Sequence, residues 1–268
     1  MNKKILITGG SGFIGKNLTL NLLDKNFKPI FIDNISQIEK KVSKINASII
    51  INLASRYLRN HNFSKMIDLI NSNILFSTSV LEAFPKKKLK QFINLSSVMM
   101  HKNSEKYLPL NLYAATKKSF LDILKYYETT FKDVKFYNLF LHDIYGENDQ
   151  RDKIIHTIIR NHKKNKKINI NSKKLALNLL NVEDVNQAIN LIINKKIKSG
   201  DYIIKSNKFT NMVDLINKIN LKIKKKVRFR VLNKEIEKKI KKKIKLLPYW
   251  KQKFTIEKDL IKYLNENN

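Results

Sequence analysis

The 268-residue chain has no cysteine, and that one absence closes several kinds of chemistry together. A disulfide framework, a thiolate zinc site, iron–sulfur ligation and a cysteine nucleophile are all excluded. No run of about 18–20 apolar residues occurs, so the sequence offers no membrane-spanning helix. The opening MNKKILITGG carries two lysines, but its apolar stretch is too short for a secretory signal and ends in glycines. The expectation is a soluble, cytoplasmic protein. Glycine and proline are scarce, at six and four, so any clustering of them is informative. Acidic residues are the remaining deficit: 22 Asp+Glu stand against 54 Lys+Arg, for a formal net charge of +32.

Such a surplus suggests phosphate neutralisation on a nucleic acid. Its distribution argues otherwise. Lysine is spread along the whole chain together with an excess of Asn and Ile, the bias of an AT-rich genome. Only Lys222 to Lys245 is dense enough to form a patch. It lacks the spaced aromatics of a base-stacking surface and matches no helix-turn-helix or zinc-finger pattern. Nucleic acid is therefore disfavoured, and a positive lobe that attracts a small phosphorylated substrate is preferred.

What is present is a globular composition, 43% hydrophobic and 28% charged, with short apolar runs alternating with longer amphipathic stretches. Strands are expected at Lys4–Thr8, Pro29–Asp33, Ser48–Leu53, Leu89–Ser96 and Lys135–His142. Helices are expected at Phe13–Lys25, Ser36–Lys44, Phe63–Phe84 and Asn111–Phe131. The fold class is α/β, a Rossmann-type doubly wound parallel sheet. About fifteen residues separate the second strand from Ser48, enough for a loop and one helix but not for a helix, a strand and a second helix. The sheet is thus expected to lack one strand. Residues 1–150 form the dinucleotide-binding domain, with a return segment at 175–195. Residues 151–268 form a smaller, mostly α substrate-binding lobe.

Four of the six glycines fall in Thr8-Gly9-Gly10-Ser11-Gly12-Phe13-Ile14-Gly15, between a strand and a helix. The G-x-x-G-x-x-G spacing of Gly9, Gly12 and Gly15 supplies a tight turn, close backbone approach to a pyrophosphate, and close helix–strand packing. The helix that opens at Phe13 and Ile14 turns free N–H groups toward the phosphates. Asp33 ends the second strand, eighteen residues past Gly15. There it either accepts hydrogen bonds from both ribose hydroxyls, favouring NAD(H) over NADP(H), or caps the next helix. Lys40 and Lys41 follow closely and keep NADP(H) open.

Tyr113-Ala114-Ala115-Thr116-Lys117 puts a phenol and an ammonium four residues apart on one helical face. A nearby ammonium stabilises phenolate, so Tyr113 is a proton-exchange candidate for a substrate oxygen, and Lys117 can also hold a nicotinamide ribose. Ser97, at the end of the preceding strand, reaches the same oxygen. Arg56, Arg59 and His61 follow the strand end Asn52–Ser55, at the carboxyl edge where substrates bind such sheets. His142 reads as a satisfied strand-end histidine, and Tyr249 and Trp250 as lobe packing.

With ILITGGSGFIGKNL, INLASRYLRNHN, SNILF, FINLSSVMMH, PLNLYAATKKSF, DIYGENDQRDKII and LNLLNVEDV together, the chain resembles the extended short-chain dehydrogenase/reductases, the NAD-dependent epimerase/dehydratase family, over nearly its full length. Within that family it is most similar to CDP-abequose synthase-like nucleotide-sugar reductases. The resemblance implies cofactor contacts from Gly9, Gly12, Phe13, Ile14, Gly15, Asp33, Leu53, Ala54, Tyr113 and Lys117. It implies a catalytic Ser97, Tyr113 and Lys117, and substrate contacts from Ser97, Asp143 and Arg151, with no metal. Asn73 matches a family Asn on the long helix. It also implies a homodimer through the helices at 63–84 and 111–131, and a nucleotide-sugar substrate, a CDP-sugar first. Two positions depart from the family pattern: Phe140 replaces its usual Arg, and His101 a common Tyr.

The residues also narrow the reaction. Val98 and Met99 follow Ser97 with no carboxylate, which disfavours a 4,6-dehydratase, and the lack of cysteine disfavours a 3,5-epimerase/reductase. Two reactions need only Ser–Tyr–Lys and a nicotinamide. The preferred one is NAD(P)H-dependent reduction of a 4-keto nucleotide-diphosphate sugar, with Tyr113 as proton donor, in deoxysugar or surface-polysaccharide precursor synthesis. The alternative is 4-epimerisation with tightly held NAD. A non-catalytic binder on the same fold is the third reading.

Overall fold

The computed structural model describes residues 4–23, 28–32, 38–101, 106–147, 149–234 and 244–266. Asp33 and residues 235–243 of the lysine-dense stretch lie outside them. Period-two alternation sorts each central strand between two cores. In β1 (Lys4–Thr8), Ile5 and Ile7 face one core and Leu6 the other. In β3 (Ile49–Asn52), Ile49 and Ile51 oppose Ile50. In β4 (Gln91–Ser97), Ile93 and Leu95 oppose Phe92, and in β5 (Lys135–Leu141), Tyr137, Leu139 and Leu141 oppose Phe136. Strands that are apolar on both faces require helices on both faces, which is the doubly wound arrangement.

The sheet has six strands in the order β10-β5-β4-β3-β1-β2, with β2 at Lys28–Ile32 and β10 at Gly200–Ile204. All five neighbouring pairs are parallel. β2 forms one edge. Among the described residues between it and β3 the only element is a single short helix, α2 (Ile38–Val42). One face is covered by α1 (Phe13–Leu23) and α7 (Val182–Asn194). The other is covered by α2, α4 (Phe76–Ala83) and α5 (Leu112–Thr130).

Two expectations are corrected. Residues 175–181 add no strand to the main sheet. β8 (Ala176–Leu177) and β9 (Leu179–Asn181) are too short and pair elsewhere, β8 with β11 (Thr210–Asn211) and β9 with β6 (Asp143–Tyr145). The strand that returns is β10, beside β5, while α7 does pack back against α1. The single helix expected over 63–84 is α3 (Phe63–Ile70) running through a π-helical turn, Asn71–Leu75, into α4. The second lobe packs α6 (Ile154–Lys163), α8 (Met212–Lys222) and α9 (Ile256–Asn265) around its own core, with β7 (Ile168–Ile170) paired to β12 (Phe229–Val231).

On the α5 side of the sheet, one position beyond Leu6, Ile50, Phe92 and Phe136 on that face, the alternation changes from apolar to polar. Thr8, Asn52, Asn94, Asn138 and Asp201 lie in register on five adjacent strands. Thr8 Oγ1 donates to Asn52 Oδ1 at 2.8 Å, Asn52 Nδ2 to Asn94 Oδ1 at 3.1 Å, Asn94 Nδ2 to Asn138 Oδ1 at 3.1 Å, and Asn138 Nδ2 to Asp201 Oδ1 at 2.9 Å. A carboxylate only accepts, so Asp201 sets the orientation of Asn138, and each amide sets the next. Ser77 of α4 adds a donor to Asn52 Oδ1 at 3.2 Å. Asn94→Leu leaves the Asn52 amide and the Asn138 carbonyl buried and unpartnered. It is expected to cost about 2–4 kcal/mol, against about 1 kcal/mol for Ile93→Val one residue away, read from urea unfolding midpoints.

Candidate active site

The loops that leave the carboxyl ends of these strands form the site. Gly9 has φ +67°, and a Cβ there would lie 2.7 Å from Ala54 Cα and 2.9 Å from the Leu53 carbonyl carbon. The turn after β1 thus lies directly on the backbone of Leu53 and Ala54, and Ala54 N donates to Thr8 Oγ1 at 3.2 Å. A Cβ on Gly15 would meet the Gly9 carbonyl oxygen at 2.3 Å, which brings the first turn of α1, with Phe13 and Ile14, close beneath the loop. Among the described residues a Cβ on Gly12 would meet only the Gly9 oxygen, at 3.3 Å, so these leave the outer side of the loop open. That is the shape a pyrophosphate needs over a helix N-terminus.

Asn111 starts α5 by accepting Ala114 N–H at 3.0 Å, which places Tyr113 in the first turn and Lys117 one turn on. Ser97 ends β4 and accepts Met99 N–H at 3.2 Å. The 98–100 turn is tied to the lead-in of α5 by Leu108 N to Met100 O (2.9 Å) and Leu110 N to Met99 O (3.0 Å). These bonds fix Ser97 against Tyr113. Burial pushes the Tyr113 phenol above its ordinary pKa, while the Lys153 ammonium and hydrogen bonds with Ser55 and Ser97 pull it back down.

Lys117 is 3% exposed. Among the described residues it has no hydrogen-bond or ion-pair partner, and burial lowers its pKa to about 8. A buried cation without a counter-charge is costly, and it fits a site completed by ligand hydroxyls. The glycine cradle and Lys117 therefore both suit a nicotinamide dinucleotide. Asp33, on which the choice between NAD(H) and NADP(H) turned, lies outside the described residues.

The π-helical turn presents Asn73 inward, 1% exposed. Its Oδ1 accepts Arg56 N–H at 2.7 Å and the Ser55 hydroxyl at 3.2 Å. Its Nδ2 donates to Arg56 O at 3.1 Å and Thr116 Oγ1 at 2.9 Å. One amide thus ties the loop after β3 to α5 between Tyr113 and Lys117. Ser55 and Tyr57 reach the site through that loop, with the Tyr57 ring edge-on to Tyr113 at 5.0 Å. The side chains of Arg56, Arg59 and His61 are exposed.

From the second lobe come Asp143, Lys153 and Arg151. Lys153 Nζ is 3.0 Å from Asp143 Oδ1 and 4.2 Å from the centre of the Tyr57 ring. Arg151 is bidentate on Asp149 (Nε 2.8 Å, NH2 2.9 Å), donates to Ile144 O at 2.9 Å, and stacks 4.3 Å over Phe13. Its guanidinium therefore braces the second lobe against the glycine turn. His142 is driven by burial to a pKa of about 4, neutral at pH 7. His101 is buried, its Nδ1 3.0 Å from Lys106 O, and Phe140 sits in an apolar cluster with Val98, Met100 and Ile203. Trp250 packs on the sheet core and donates to Asp184 O at 2.9 Å. Among the described residues no cluster of His, Cys, Asp or Glu could hold a metal ion, and no helix is long and apolar enough to cross a membrane. Sequence reasoning missed Ser55, Tyr57 and Lys153. Only their nearness to strand ends and to the YGENDQR segment could have singled them out.

Comparison with known proteins agrees with this geometry. The profile of the NAD dependent epimerase/dehydratase family matches residues 5–204, ending where β10 ends. The chain is 31% identical over 219 residues to the CDP-abequose synthase of Salmonella muenchen, covering 75% of this chain and 74% of that protein. Among solved structures it superposes on the UDP-glucuronic acid 4-epimerase of Bacillus cereus, in complex with UDP-glucuronic acid and NAD, at TM-score 0.82 and 19% identity, covering 98% and 99% of the two chains. It matches the UDP-glucose 4-epimerase of Thermotoga maritima at TM-score 0.80 and 18% identity over the same shares.

The state of Lys117 generates a prediction. The folded protein releases this proton near pH 8 whereas the unfolded chain keeps it to about 10.5, so stability rises with pH across that window. Lys117→Met is expected to raise ligand-free stability at pH 7 by about 1–3 kcal/mol, with the difference from wild type closing between pH 8 and 10.5. A variant less stable than wild type at pH 7, or a difference indifferent to pH, contradicts an unpaired buried cation.

Proposed function

The chain belongs to the NAD dependent epimerase/dehydratase family, and from that premise we propose that it reduces the 4-keto group of a nucleotide-diphosphate sugar with NADH or NADPH. The observation that carries the reading is the arrangement around Tyr113. Its phenol lies at the end of β4 beside Ser97 and Ser55, with one lysine on its own helix and another across the site. A bound nicotinamide supplies the hydride; the chain's own residues supply position and the proton. Ser97 holds the substrate oxygen, Tyr113 protonates it as the carbonyl becomes an alcohol, and Lys117 holds the cofactor ribose. Val98, buried, and Met99 leave no carboxylate beside Ser97 to eliminate water. The 31% identity to a CDP-abequose synthase makes a CDP-linked sugar the first substrate to test, with the product an activated deoxysugar for surface polysaccharide.

The same residues serve 4-epimerisation if the hydride is returned to the opposite face of the sugar. Net oxidation of the cofactor separates the two reactions. With a CDP-linked 4-keto-6-deoxy sugar, the wild type is expected to consume NADH or NADPH stoichiometrically. Tyr113→Phe is expected to lower kcat by about 10²–10⁴-fold while dinucleotide binding persists. Unchanged turnover in that variant removes Tyr113 from the chemistry, and sugar interconversion without cofactor consumption selects the epimerase.

We further propose that two copies pair through α3 and α5. Phe63, Ile67 and Ile70 form one stripe of α3, exposed by 78%, 44% and 37%, and Tyr126 of α5 is also exposed. Sedimentation is expected to show a dimer that Ile67→Lys dissociates. A monomeric wild type contradicts the pairing.

A further inference from the structure

Tyr113 has two lysines near it, and they differ in standing. Lys117 sits on the same helix, is buried with no counter-charge among the described residues, and is lowered to a pKa of about 8. Lys153 arrives from the other lobe, as the residue that precedes α6, with its N–H bonded to Arg151 O at 2.7 Å. Two contacts hold it at the site, and a third links the second of them to Tyr113. Asp143 Oδ1 is 3.0 Å from Nζ, the Tyr57 ring centre is 4.2 Å from it, and the Tyr57 ring in turn lies edge-on to Tyr113 at 5.0 Å. Among the described residues, the groups acting on Tyr113 are Ser55 and Tyr57 from the loop after β3, Ser97 from β4 and Lys153 from the second lobe, with Asp143 behind Lys153 and Lys117 one turn on along α5.

We propose that Lys153, seated on Tyr57 and anchored by Asp143, is a positioning residue that holds a permanent positive charge beside the Tyr113 hydroxyl. Its role follows from the difference between the lysines. Burial disfavours the Lys153 ammonium, but Asp143, Tyr57 and Tyr113 more than offset that, and its pKa is raised. It remains charged through the pH range in which Lys117 loses its proton. Lys117 is then free to serve cofactor hydroxyls as donor or acceptor, while Lys153 makes the phenolate of Tyr113 affordable after it has given up its proton. A cation–π seat on Tyr57 keeps the ammonium near the phenol without requiring a direct bond to it. Because α6 packs in the core of the second lobe through Ile155 and Ile158, seating of that lobe brings the charge to the site.

The inference deepens the reductase reading, so its test is designed to fail separately from it. Tyrosine ionisation is followed by ultraviolet difference titration of the ligand-free protein, with and without Tyr113→Phe, so that the Tyr113 component is isolated. Lys153→Met, or Lys153→Gln if the first variant does not fold, is expected to move the Tyr113 midpoint up by about one pH unit, and Lys153→Arg to leave it near wild type. In turnover, the alkaline limb of the kcat profile, set by loss of the Tyr113 proton, moves up with it. An unmoved midpoint in the folded Met or Gln variant overturns the proposal. So does an Arg variant shifted as far as the Met variant, because the charge would then not be what matters. A shift without turnover on any sugar nucleotide overturns the reductase reading alone, since the titration needs no substrate.

Discussion

A row of hydrogen bonds across the sheet, from Thr8 through Asn52, Asn94 and Asn138 to Asp201, fixes the register of five of its strands. Apolar contacts alone do not specify register along parallel strands rich in Ile and Leu, because a strand slipped by two residues still buries similar side chains. An amide ladder does. Each Asn has its partner only when the strands are aligned as observed, and a slip strands buried polar groups at a cost of several kcal/mol in all. The functional residues are counted from that row: Gly9 is one residue beyond it on β1, Ala54 two beyond on the β3 side, Ser97 three beyond on β4, and Asp143 five beyond Asn138. The row runs from a hydroxyl to a carboxylate, so all its amides point one way and polarise one another.

A second constraint joins that frame to the chemistry. The π-helical turn that carries Asn73 rotates a polar side chain into a place where a regular helix would present another residue. That side chain then spans from the Ser55–Arg56 backbone to Thr116. Tyr113 and Lys117, one turn apart, lie on either side of this tie. The second lobe contributes through Arg151, which bridges Asp149 and Phe13, and through Lys153. Two lysines in distinct environments give the site one amine that loses its proton near pH 8 and one ammonium that stays charged.

Much of this was legible in the sequence. The glycine spacing stood out because glycine is otherwise scarce, and the Tyr–Lys pair because a strand ending in Ser-Ser preceded its helix. The short connection between the second and third strands followed from their spacing, and among the described residues it holds one helix. The ladder was not legible: Asn52, Asn94 and Asn138 each interrupt an apolar run in a chain rich in Asn, and only their common register makes them a unit. Lys153 was hidden among 54 basic residues, since its role depends on a contact between lobes. β10 was missed because five residues after Ser199 carry little periodicity, and the Leu175–Asn181 run, more apolar on paper, pairs instead with short strands of its own lobe. Asp33 and its bearing on the cofactor lie outside the described residues.

The central claim is that hydride and proton meet at one carbonyl carbon and its oxygen beside Tyr113. Reduced nicotinamide dinucleotide carrying deuterium at both C4 positions, incubated with a CDP-linked 4-keto-6-deoxy sugar and this protein, tests it most directly, with the product read by mass spectrometry and NMR. The account predicts one deuterium per product molecule, located at the sugar C4, and an equal amount of oxidised cofactor. A product without deuterium at C4, or a sugar nucleotide that binds and is recovered unchanged, would contradict it.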